Sequence, residues 1–196
     1  MDKYKQKLYL EQIDTDVSFF SFMTIAVIFF TGLLLTNFDS YDLLIKVPIS
    51  FLIISIFAFL YPALILANTS QKIISGEIKH VKRHLLYGYT ISEYLGIYLF
   101  ILSLPLIINA FTSDLYLRMT TLLSSLIGLI IYQFLHFSNL EIHFPKKYKI
   151  FSIIMIIFGL LLFISQAYNF YFVPVAIVFL SFIIFITYSS VKENFQ

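Results

Sequence analysis

Long apolar runs alternate with short polar connections along the whole chain. Stretches of about 20 residues without a charge match the length that crosses a bilayer core of about 30 Å. Six such runs, uncharged but for Glu93 near the start of the third, predict six transmembrane helices, at roughly 17–35, 47–67, 91–111, 119–137, 150–167 and 173–189. Thr15 or Asp16 is the expected N-cap of the first. Pro62 and Pro105 fall inside later spans, where a proline removes one backbone hydrogen bond and kinks the helix. The expectation is therefore all-α: a polytopic membrane helix bundle of residues 17–189, preceded by a polar segment 1–16 and followed by a short tail, 190–196.

The segments IFFTGLLLTNF, FILSLPLIINAF and IIFGLLLFISQAYNF each end near an asparagine that leads into a turn. They allow the bundle to be read as three helical hairpins, although Ile/Leu/Phe-rich sequence also produces such matches by chance.

The stretch 67–90 breaks the apolar pattern. Ile74, Ile78, Val81 and Leu85 form one narrow stripe at helical spacing, with Lys72, Lys79, Lys82 and Arg83 on another face. That pattern predicts a short basic amphipathic helix between the second and third spans, suited to the headgroup layer of anionic lipid.

Composition sharpens the class. The chain is 60% hydrophobic and 12% charged, against roughly 25% charged residues in soluble domains. With no cysteine, disulfides and thiolate metal sites are excluded. A net charge of +2 gives no reason to expect a nucleic-acid partner. Segment 1–16 lacks the apolar core of a signal peptide, so the first apolar run is expected to remain as a span.

Eleven of the thirteen basic residues fall on the side that would hold both termini; Lys46 and Arg118 fall on the other. Short Lys/Arg-rich loops stay cytoplasmic, which predicts a multi-pass protein of the cell membrane with both termini inside.

Candidate chemistry is sparse. If the fourth helix continues outward, His136, Asn139 and His143 share one face, with Gln133 a turn deeper and Glu93 at a similar depth on the third helix. Imidazole and carboxylate at one depth suit a metal site or proton relay. Polar helix ends that meet the membrane interface explain the same residues, and a carboxylate in a first helical turn reaches the headgroups. Ser124, Ser125 and Gly128 mark either a pore lining or a helix-packing face. Lys146, Lys147 and Lys149 add a second basic connection able to meet lipid or a partner.

No H-E-x-x-H, G-x-S-x-G, P-loop or G-x-G-x-x-G motif occurs, so neither an enzyme nor a bound cofactor is expected. Three function classes follow, of which the third, an integral membrane enzyme using the His136, His143 and Glu93 neighbourhood, has no motif behind it. The first is a channel or passive transport subunit working as a homo-oligomer or within a membrane complex, since hydrophobic pores gate without buried charge. The second is a membrane anchor or scaffold that binds a partner through its basic loops.

Overall fold

A computed structural model describes residues 3–75, 81–140 and 147–193, and every regular element among them is helical. The helices are α1 (Lys3–Leu35), α2 (Leu43–Ile74), α3 (Val81–Ile91), α4 (Tyr98–Phe111), α5 (Leu115–Leu140), α6 (Lys147–Ala167) and α7 (Phe172–Glu193). A 3-10 turn, Phe38–Ser40, follows α1, and a π-helical segment, Ser92–Ile97, joins α3 to α4 without a break.

Five helical stretches are long and apolar enough to span a bilayer: Leu10–Leu35, Leu43–Ile74, Arg83–Phe111, Leu115–Tyr132 and Phe172–Ser189. Ile153–Ala167 in α6 is a shorter apolar helix among the described residues. Phe22, Ile25 and Phe29 of α1 are about as apolar as the core and still largely exposed. An apolar surface of that kind suits hydrocarbon and not water. The protein is a multi-pass helical membrane protein.

Several boundaries lie outside the expected spans, each for a local reason. α1 is helical from Lys3 onward among the described residues, so Thr15 and Asp16 are interior helical residues and not caps. The Thr15 hydroxyl donates to the Glu11 carbonyl at 2.9 Å, and the Ser18 hydroxyl to the Asp14 carbonyl at 2.8 Å. Asp42 caps α2: its Oδ1 accepts the Leu44 and Ile45 amides at 3.0 and 3.3 Å. Asp114 does the same for α5 through the Leu117 amide at 3.0 Å. The basic stretch is described from Val81 as α3, which is continuous with the third span, Arg83–Phe111, and not a separate interfacial helix; Ile78 and Lys79 lie outside the described residues. Lys72, placed on the same helix by the sequence pattern, belongs instead to the last turn of α2.

The chain forms two compact units: Met1–Thr36, Leu52–Leu99 and Phe182–Gln196 in the first, Asn37–Phe51 and Phe100–Ser181 in the second. In the first unit, α2 packs against α3 and the π-helical segment across two glycines. Gly88 lies under Leu66, and Gly96 lies under the ring of Phe59, which stacks at 6.3 Å on Phe20 of α1. In the second unit, Phe179 of α7 holds Phe51 of α2 and Phe158 of α6 at 5.9 and 5.5 Å. Thr24, Ser50, Ser103 and Ser165 return their hydroxyls to carbonyls of their own helices. That arrangement satisfies each hydroxyl without water.

Candidate functional site

Several polar side chains of the first unit gather around the α3–π segment. Tyr89 donates its phenolic hydrogen to Asp16 Oδ2 of α1. Ser70 of α2 donates to Asp14 Oδ1 at 3.5 Å, a long contact. One turn beyond Tyr89 stands Glu93, only 1% exposed, on the π-helical segment. The segment is set by an i to i+5 bond in which the Tyr98 amide donates to the Glu93 carbonyl. Widening the turn also presents the Leu95 carbonyl to α2, where the Ser55 hydroxyl donates to it at 3.4 Å. Thr90 is buried beside this group, with no hydrogen bond to its Oγ1 among the described residues. Tyr94 and Tyr98 stack at 6.0 Å on the same stretch.

Glu93 therefore differs from its sequence expectation. It is not in a first turn reaching for headgroups, because the described helix reaches back twelve residues, to Val81. The upstream polar residues do not end the helix, since Tyr89 and Ser92 find partners on α1 and on their own backbone. Burying an ionised carboxylate inside a span costs roughly 2.5–3.5 kcal/mol even by the lower measured scales. π-helical turns are rare and concentrate at functional positions.

The remaining expected sites are scattered. His136, Gln133 and Asn139 lie on α5, but their side chains fall outside the described residues, as does the whole of His143. Among the described residues no three His, Asp or Glu side chains group to hold a metal. Ser124 is exposed and Ser125 buried on α5, and a Cβ added at Gly128 would meet nothing within 4 Å. Lys72 is half-buried and Arg83 exposed. Lys79 and Lys146 lie outside the described residues, as do the side chains of Lys82, Lys147 and Lys149.

A second polar connection lies in the second unit. Gln166 of α6 donates from Nε2 to the Leu44 carbonyl of α2 at 2.7 Å, and Asn109 of α4 donates from Nδ2 to Gln166 Oε1 at 3.0 Å. A carbonyl only accepts, so Leu44 fixes the orientation of Gln166, and Gln166 fixes that of Asn109. Both amides are 3% exposed. Set against known protein families, curated proteins and solved structures, the chain matches none. Its function must be read from these two polar groups and the membrane-spanning frame.

Sequence reasoning singled out neither Tyr89 nor Gln166, and it met Asp16 only as a cap and Asn109 only as a repeat marker. The available signal was the polar residue itself: Asn109 and Gln166 are amides at span ends, and an intramembrane polar group asks for a named partner.

Proposed function

We propose that this protein is a small non-enzymatic transport protein of the cell membrane, working as an oligomer with both termini in the cytoplasm. In this reading it conducts protons or small cations passively, along a path that includes Glu93. The observation that carries the reading is the burial of Glu93 on a π-helical turn inside an apolar span. A purely structural helix has no need of a buried acid there, and an apolar residue would avoid its desolvation. Tyr89 and Asp16, one turn away, extend the acidic and hydroxyl groups toward the N-terminal part of α1. Carboxyl and phenol oxygens in sequence suit a proton or a weakly hydrated cation. The orientation rests on the basic residues, eleven of thirteen of which share one side.

The test is flux through purified protein in liposomes loaded with a pH-sensitive dye, under an imposed proton or potassium gradient. The reading expects dissipation faster than in empty vesicles, slowed by Glu93→Gln. Tight vesicles from well-folded protein would instead favour the anchor reading, with Lys72 and Arg83 as the contact to test.

A further inference from the structure

An open-mouthed cavity of about 580 Å³ lies in the second unit, between the start of α2 and the turn joining α6 to α7. Its walls include Tyr41, Asp42, Lys46, Asn169, Tyr171 and Phe172. Three independent features set this cavity apart.

First, Asp42, the cap of α2, and Lys46, one turn into that helix, both line the cavity, yet they do not pair. The Lys46 ammonium sits 5.0 Å from the centroid of the Phe38 ring. Asp42 Oδ1 is engaged by the Leu44 and Ile45 amides, and no hydrogen bond to Oδ2 exists among the described residues. The capping carboxylate has already taken the first helical amides, so what the cavity offers is one negative and one positive side chain.

Second, Asn169 and Tyr171, with φ of 50° and 51°, are the two positive-φ non-glycine residues among those described, and both line this cavity. A bulky residue is an outlier in that region, and such strain persists where the surroundings over-determine it. The αL backbone here holds an amide and a phenol at the cavity wall.

Third, the same turn carries Tyr168, Phe170 and Tyr171, which are 80%, 66% and 66% exposed. Exposed aromatics at a span end mark the membrane–water boundary.

We infer that this cavity binds a zwitterion of headgroup size, with its ammonium toward Asp42 and the Tyr41 and Tyr171 rings and its phosphate or carboxylate toward Lys46. Aromatic faces attract ammonium groups, and each charge-assisted contact is stronger than a neutral one. The ligand is either a zwitterionic lipid headgroup or a free zwitterion of the same chemistry. The inference is independent of the transport reading.

The experiment measures ligand-induced thermal stabilisation of the full chain in a non-ionic detergent. Its probes are dihexanoyl-phosphatidylethanolamine, dihexanoyl-phosphatidylglycerol and glycerophosphoethanolamine. Saturable stabilisation by the ethanolamine lipid is expected, with affinity falling roughly tenfold or more in Asp42→Asn and in Lys46→Gln. Asparagine retains the cap, so Asp42→Asn should fold. Tyr171→Gly relieves the φ strain, and should keep or raise the melting temperature while weakening binding. Glycerophosphoethanolamine binding as tightly as the lipid assigns the site to a free zwitterion; binding of the lipid alone assigns it to a headgroup. The inference is overturned if neither zwitterion saturates. It is also overturned if both charge variants bind as the wild type does, or if the phosphatidylglycerol binds equally and only Lys46 matters.

Discussion

Replacing Gly96 by alanine probes the contact on which the first unit is built. A Cβ there would lie 2.8 Å from Phe59 Cε1, 3.0 Å from Cδ1 and 3.2 Å from Cζ. The ring cannot swing away freely, because it is fully buried and its other neighbour is the stacked ring of Phe20 at 6.3 Å. Overpacking of this kind costs about 1–3 kcal/mol. Replacing a helical glycine also gains up to about 1 kcal/mol of helix propensity, which would mask part of the loss. Gly88 supplies the control, since a Cβ there meets Leu66 at 3.5 Å, an ordinary contact. Both substitutions carry the propensity gain, so their difference isolates the ring clash at about 1–3 kcal/mol. For a chain of this size each kcal/mol moves the melting temperature by about 2–4 °C. Melting in detergent should therefore place Gly96→Ala some 2–12 °C below Gly88→Ala. Adding Phe59→Leu should close most of that gap. If Gly96→Ala melts with or above Gly88→Ala, α2 does not pack on the π-helical segment through Phe59, and the placement of Glu93 loses its frame.

Other consequences can be checked in parallel. Gln166→Leu strands both the part-buried Leu44 carbonyl and the buried Asn109 amide, so it should destabilise by about 1–3 kcal/mol and more than Asn109→Leu, measured by the same melts. Tyr89→Phe removes the donor to Asp16 and should cost about 0.5–1.5 kcal/mol, with unchanged helix content by circular dichroism. The chain has no cysteine, so single substitutions report topology directly. Ser40→Cys should react with an impermeant maleimide from outside intact cells, and Ser75→Cys only after permeabilisation; the reverse pattern would invert the orientation.

The membrane frame was legible because uncharged runs of bilayer length have few other uses. The asymmetry of Lys and Arg was equally plain, although only labelling tests what it implies. The helix ends were harder to read. Polar residues in 3–16 and 81–93 resemble connections, yet they continue as helix because Thr15, Ser18, Tyr89 and Ser92 satisfy their polar atoms locally or on α1. That continuity moves Glu93 from a helix start to a buried interior, and no periodicity rule reveals it. The π-helical segment has no sequence signature beyond Gly96 fitting under Phe59. The three asparagines that suggest a hairpin repeat occupy three settings. Asn37 precedes a 3-10 turn, Asn109 is buried in a side-chain hydrogen bond, and Asn169 is exposed in the αL region.

Whether Glu93 lies on a conducting path is decided by comparing wild type with Glu93→Gln in liposomes at matched protein density. Melting curves and detergent-extracted oligomer size confirm that both are folded alike. Wild type should carry proton or potassium flux that falls toward the level of empty vesicles in the variant. Equal flux through both proteins, or none through a well-folded wild type, would contradict it.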